Sequence, residues 1–240
     1  MDLYNTTEHE DNISNAPQYL HIANIIKEEI FTGKFSSGEK LPAERELAKK
    51  YETGRPTIRE AIRALENMGL VETRYGAGSF VANNIHKVIS DSLRAITYVN
   101  SAPLIDILEF REMFEFESVR LAALRRTDDQ IKEMEELLID IENADSILEF
   151  QELDNRFHIL ISEMTNNVLI IECFLAMNEL FYGSIKNTTF AATIEGDSTN
   201  ELYNYHRSIF EAIKESDSVL AYIFMKKHFD RIKKVSFNKN

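Results

Sequence analysis

The chain has 240 residues, 44% apolar and 28% charged, with 8 Gly and 4 Pro, which suits a soluble core and surface and excludes disordered and collagen-like classes. Its single cysteine, Cys173, excludes an intrachain disulfide and a cysteine-built zinc site. The acidic start, Met1 to Asn15, lacks the basic and apolar regions of a signal peptide, and no stretch approaches the roughly 20 apolar residues of a membrane span. These features point to a cytoplasmic protein with no membrane partner. The net charge of −13 argues against nucleic acid only for the chain as a whole. Residues 1–16 carry −4, residues 17–84 carry +1, and residues 85–240 carry −10. The middle block concentrates Lys34, Lys40, Arg45, Lys49, Lys50, Arg55, Arg59 and Arg63. Such an asymmetry suggests a binding module joined to something else.

Residues 1–16 read as a flexible acidic tail. From Tyr19, the apolar residues Ile22, Ile25, Ile26 and Ile30 recur at helical spacing, and Gly33 supplies a stop. A short helix follows over Ala43 to Tyr51, then a tight turn at Thr53-Gly54. Arg55-Pro56 opens a third helix, with proline in the first turn where its missing N–H costs nothing. Ile58, Ala61, Ile62 and Leu65 form its buried stripe, and Gly69 ends it. The period then changes to that of strands over Leu70 to Arg74 and Ser79 to Ala82, joined by Tyr75-Gly76-Ala77-Gly78. Beyond Asn83-Asn84 the pattern is helical throughout, predicting helices at 85–97, 103–123, 128–143, 146–165, 168–186, 198–215 and 217–235, with Asp128 and Asp217 as N-caps and a break at Asn187 to Ser198. The fold class is therefore mainly α. A winged helix-turn-helix spans 17–84, and an all-α antiparallel bundle spans 85–240.

Arg55, Arg59 and Arg63 stand at i, i+4 and i+8, along one stripe of the third helix beside its apolar stripe. A long forked donor suits guanine O6 and N7 in the major groove. Arg45 and Lys49 on the preceding helix are placed to hold phosphate, and the glycines at 76 and 78 let the wing's main chain approach DNA closely. Alone, this arginine spacing would more often mark a solvated helix face. The order of short helix, glycine turn, arginine-bearing helix and ribbon favours DNA.

Four blocks carry a resemblance. They are Leu41-Pro42-Ala43-Glu44-Arg45-Glu46-Leu47-Ala48, Arg55-Pro56-Thr57-Ile58-Arg59-Glu60-Ala61-Ile62-Arg63-Ala64-Leu65-Glu66, Gly69-Leu70-Val71, and Gly76-Ala77-Gly78-Ser79-Phe80-Val81. Over residues 18–82 the chain resembles the DNA-binding domain of the GntR family of bacterial transcription regulators. The resemblance implies Arg45, Arg55 and Arg59 as the principal DNA contacts, Thr57 on phosphate and Gly76 at the wing. Gly54 stands where the family usually has Ser or Thr.

The helical part holds the second constellation. Asp154 and His158 are one helical turn apart, His206 lies in the stripe Leu202, His206, Ile209, Ile213, and His228 in the stripe Phe224, His228, Ile232, Val235. A lone inward histidine is more often a hydrogen-bonded core residue. Imidazoles from three helices with a carboxylate nearby are instead how bundle cores build metal sites. Arg111-Glu112-Met113-Phe114-Glu115, Asp154-Asn155-Arg156-Phe157-His158, His206-Arg207-Ser208-Ile209-Phe210-Glu211-Ala212-Ile213 and Met225-Lys226-Lys227-His228-Phe229 resemble the FCD effector domain of the FadR-type subgroup, over about residues 100–236. This implies a divalent metal, Zn first and Ni, Mn or Fe as alternatives, held by Asp154, His158, His206 and His228. It also implies a small carboxylate effector met by Arg111, for which a surface salt bridge to Glu115 is the structural alternative. The helix over Glu172 to Lys186 often carries basic residues in the family. Here it offers Asn178 as an effector contact, with Tyr182 and Ser184. The expected protein is a homodimeric regulator, a repressor by the commoner family behaviour, reading double-stranded operator DNA. A metal-dependent enzyme, or a regulator whose metal is purely structural, are the rival readings.

Overall fold

A computed structural model describes residues 17–83, 85–185 and 197–237. The expected acidic tail and most of the expected break at Asn187 to Ser198 lie outside the described residues. The chain divides into two compact units between Val88 and Ile89.

In the first unit, α1 (Gln18–Phe31), α2 (Glu44–Lys50) and α3 (Arg55–Asn67) precede the strands β1 (Val71–Arg74) and β2 (Gly78–Val81). Ile22 and Ile26 of α1 and Leu47 of α2 pack with Ile58, Ala61 and Leu65 of α3 in a common apolar cluster. Each such large side chain contributes about 1.5–3 kcal/mol through burial. Because the core uses one stripe of α3, Arg55, Arg59 and Arg63 are left exposed. A polar network ties α1 to α2. Lys34, Lys50 and Tyr51 all donate to the Glu29 carboxylate, at 2.6–3.0 Å. Burial raises the pKa of that carboxyl, but these donors outweigh it and hold it at about 2.

The strands form an antiparallel hairpin with Val71 opposite Val81 and Arg74 opposite Gly78. Val71 and Val81 face the core. The turn between them carries Gly76 at φ +71° and Gly78 at φ +108°. At φ +108° Gly78 holds a backbone conformation that a side chain would strain, and a Cβ there would also press on the end of the flexible Lys40 side chain, 3.0 Å away. Tyr75 stands fully exposed at the wing's tip.

Among the described residues, seven further helices follow: α4 (His86–Val99), α5 (Leu104–Arg125), α6 (Asp128–Glu142), α7 (Ile147–Met164), α8 (Val168–Ile185), α9 (Asp197–Lys214) and α10 (Ser218–Phe237). Their starts are chemically marked. Ser146 Oγ accepts from Glu149 N, and Asp217 Oδ1 accepts from Val219 N and Leu220 N. Asp128 is not an N-cap. Thr127 takes that role and forms a reciprocal box with Gln130, leaving Asp128 as the first helical residue, where its charge still favours the N-terminal dipole. The second unit is organised around α5, which packs against α7, α8, α9 and α10. The small residues Ser118, Ala122 and Ala123 lie on its buried surface, and so do two charged ones, Arg111 and Glu115.

Candidate functional site

Four of the five DNA-facing expectations fall on one groove in the first unit. Arg45 of α2, Arg55 and Arg59 of α3, and Gly76 of the wing line it together with Lys40 and Glu44. Thr57 is not on that groove. It lines a separate cleft with Gln18, Tyr19, Pro56, Arg59, Glu60 and Arg63. Glu44 accepts from Arg59 Nε and Nη2 at 3.2 and 3.0 Å, and from Arg55 Nη2 at 3.5 Å. These hydrogen bonds, Arg59's first, lower the pKa of Glu44 and raise that of Arg59. The two guanidiniums are thus held side by side on one carboxylate while more than half of each side chain remains exposed. Gly54 starts α3 without a side-chain cap.

In the second unit, Asp154 and His158 of α7, His206 of α9 and His228 of α10 converge. One ligating atom from each lies within 4.8 Å of all the others. The three imidazoles are buried, and their ring centroids stand 4.9–5.8 Å apart. His158 Nδ1 is hydrogen-bonded to Glu115 Oε2 at 2.9 Å, which turns Nε2 toward Asp154 Oδ1, 3.8 Å away. His206 Nε2 lies 3.1 Å from the same Oδ1, but the pair lacks hydrogen-bond alignment. The ring nitrogens of His206 and His228 are therefore buried without a hydrogen-bond partner. Tyr182 donates to Asp154 Oδ2 at 3.0 Å.

The electrostatics of this cluster are opposed. Burial lowers the pKa of His206 and, with the neighbouring imidazoles, drives that of His228 well below the ordinary range. Burial raises that of Asp154, but the surrounding imidazoles outweigh it and hold the carboxylate ionised. An anion thus sits beside His206 and His228, in which burial disfavours the charged form. Orphaned imidazole nitrogens in the company of one carboxylate oxygen are a donor set that a divalent ion satisfies without protonating anything. The residues present fit such an ion.

A cavity adjoins the cluster, walled by Asp154, His158, His228, Arg111, Gln151 and Tyr182 with the apolar side chains of Phe150, Phe181, Leu202 and Ile232. Arg111 is only 3% exposed, so its pair with Glu115 is a buried ion pair and not the surface one that the sequence offered as the alternative. Its Nε donates to Glu115 Oε1 at 2.9 Å, and the guanidinium carbon lies 4.3 Å from the Phe181 ring centroid. Nη2 approaches the same Oε1 to 2.9 Å without the alignment of a hydrogen bond and is left a buried donor with no acceptor. Asn178 is not brought to the cavity. It is buried, and its amide donates to Asn155 Oδ1 at 2.6 Å. On α8 the cavity wall is formed instead by Phe181 and Tyr182.

Glu115 belongs to the candidate site, although in the sequence it stood only as a surface partner for Arg111. It is fully buried and joins Arg111 on one side to His158 on the other, and its pKa stays low because those two outweigh the cost of burial. Its i+4 spacing from Arg111 signalled the first contact, but nothing local signalled His158, 43 residues on.

Residues 18–81 match the bacterial regulatory proteins of the gntR family, and residues 106–231 match the FCD domain. Over 223 residues the chain is 30% identical to the Uxu operon transcriptional regulator of Escherichia coli (strain K12), a match spanning 90% of this chain and 85% of the relative. It is 26% identical over 208 residues to the HTH-type transcriptional regulator LutR of Bacillus subtilis (strain 168), spanning 86% and 95% of the two chains. Among solved structures, the Streptococcus agalactiae GntR protein superposes with a TM-score of 0.73 at 26% identity, covering 90% of this chain and 99% of that one. These relatives are transcription regulators, which sets aside the enzyme reading.

Replacing Glu115 by Ala strands a buried guanidinium and frees His158 Nδ1. The expected loss is about 3–5 kcal/mol of stability, the range for breaking one half of a buried ion pair. Urea denaturation of the full chain checks it, and a loss under about 1 kcal/mol, the value of an exposed pair, would contradict the geometry.

Proposed function

Because the chain belongs to the GntR family of DNA-binding transcription regulators and carries an FCD domain, we propose that it is a homodimeric repressor whose hold on operator DNA is released by a small carboxylate bound beside a divalent metal ion. The observation that carries this reading is the shared cavity. Arg111 Nη2, a buried donor without an acceptor, lines the same space as the Asp154 and imidazole cluster. A carboxylate placed there would give the guanidinium its missing acceptor.

On the DNA side, α3 is the recognition helix. Arg55 and Arg59 read base edges, Arg45 holds phosphate, and the wing at Gly76 lies against the backbone. Thr57 meets phosphate from the opposite side of α3, consistent with its place in a separate cleft. The Glu44 pairs do not prevent this. Exposed ion pairs are worth about 0–1 kcal/mol, whereas a bidentate contact to guanine contributes about 1–3 kcal/mol. DNA therefore outcompetes the carboxylate, which serves to keep two long side chains extended and parallel. Each chain presents one recognition helix, so a pseudo-palindromic operator takes two copies. A dimer seated on promoter DNA excludes polymerase simply by occupying it.

On the effector side, Asp154, His158, His206 and His228 would hold the metal, with Zn, Ni, Mn and Fe all suited to this donor set. The ion supplies a fixed positive charge that attracts an anionic ligand. Glu115 fixes the His158 ring so that Nε2 faces the cluster, and Tyr182 orients Asp154 through Oδ2. Asn178, committed to Asn155, has no part in this reading. Operator and effector must change each other's affinity by the same factor.

Two substitutions test the halves separately. Arg59→Ala is expected to weaken specific operator binding by about 1–3 kcal/mol and to relax base choice at one position; an unchanged gel-shift midpoint would count against it. His206→Ala is expected to lower the metal content found by elemental analysis and to abolish the response of DNA binding to carboxylates, while basal DNA binding persists. A full complement of metal in that variant would remove the proposed site.

A further inference from the structure

The charges around the cavity go further and point to a class of ligand; this step rests on the metal-and-carboxylate reading of the same site. Among the described residues, the charged side chains on the cavity wall are Arg111 and Asp154, and Glu115 stands directly behind Arg111. Glu115 cancels the charge of Arg111, from which it is 2.9 Å distant in full burial. Asp154 cancels half the charge of a divalent ion held by the cluster. The imidazoles of His158, His206 and His228 are uncharged when they ligate. One positive charge is left over. The rest of the wall is neutral, namely Gln151, Tyr182 and the side chains of Phe150, Phe181, Leu202 and Ile232.

We propose that the cavity selects carboxylates bearing a single negative charge, and that Glu115 sets this preference by neutralising Arg111 from behind. A monocarboxylate balances the residual charge and finds both the ion and the free Nη2 donor of Arg111. A dicarboxylate of the same chain length must place its second carboxylate against Gln151, Tyr182 or an aromatic ring, with no cation left to meet it. Arg111 thus acts in this site as an oriented donor more than as a net charge. A sequence inspection that counts Arg111 as a free cation reaches the opposite answer and favours the dianion.

The test uses the full-length, metal-loaded chain, with metal content measured in every sample. Calorimetric titrations at fixed ionic strength compare butanoate with succinate and pentanoate with glutarate. Within each pair the monoanion is expected to bind about tenfold tighter or more, the penalty of burying one unpaired carboxylate. Glu115→Gln keeps the shape and one acceptor but leaves Arg111 charged, and is expected to shift the ratio toward the dianion by about tenfold. Gln151→Glu, made on the cavity wall, adds a negative charge and is expected to weaken both acids of each pair, the dianion more than the monoanion, with metal content unchanged. Dianions binding the wild-type chain as tightly as monoanions would overturn the inference, and a ratio unmoved by either substitution would overturn the role given to the residual charge. The wild-type titrations and Gln151→Glu decide the matter if Glu115→Gln does not fold. Chains that load no metal, or that bind neither acid, would overturn the underlying site reading instead.

Discussion

The second unit is organised by a carboxylate, that of Asp154, four-fifths buried and facing three fully buried imidazoles. Asp154 lies among three buried imidazoles, and in two of them, His206 and His228, burial disfavours the charged form, while a hydrogen bond from Tyr182 satisfies one of its oxygens. In a low-dielectric interior such a group needs a positive counterpart within a few ångströms, because desolvation of an unpaired carboxylate costs several kcal/mol. The helices supply position and not charge. α7, α9 and α10 each deliver an imidazole, and α5, packed against all of them, delivers the Arg111–Glu115 pair. A bundle core that contained only Leu and Phe at these positions would be easier to stabilise. The polar cluster makes sense as a site kept ready for a cation and the anion it attracts.

Both units restrain an arginine with a glutamate. In the second, Glu115 grips Arg111 in full burial, so the guanidinium is fixed in direction and its charge is spent. In the first, Glu44 gathers Arg55 and Arg59 at an exposed surface, where solvent weakens the attraction and the charge remains available to DNA. The same pair of residue types is therefore a permanent strut in one place and an exchangeable clasp in the other. Burial makes the difference. On the proposed reading it also lets Arg59 leave its carboxylate for a base edge, while Arg111 would meet a ligand through Nη2, which makes no hydrogen bond to Glu115.

Much of this was readable from residue order. The stripe Ile58, Ala61, Ile62, Leu65 fixes which face of α3 is buried and so leaves Arg55, Arg59 and Arg63 outward. The periods around Asp154, His158, His206 and His228 place all four inward, because a helix with one apolar stripe has only one way to face a core. What could not be read was set by contacts distant in sequence. Glu115 looked like a surface residue because its spacing from Arg111 is equally good for an exposed pair. Only the packing of α5 against α7 reveals His158 on its other side. Asn178 looked available for a ligand because the position of Asn155 across the α7–α8 contact is a tertiary fact. Asp128 looked like a cap because Thr127 and Asp128 are both good cap residues in adjacent positions, and only backbone geometry chooses between them.

Anomalous diffraction from crystals of the full-length chain, recorded above and below the absorption edge of the metal found in it, addresses the buried cluster most directly. The expected result is a single strong anomalous peak per chain, bounded by the Asp154 carboxylate and the rings of His158, His206 and His228. A map with no peak there, or with its peak elsewhere in the molecule, would contradict the reading of this cluster as a cation site.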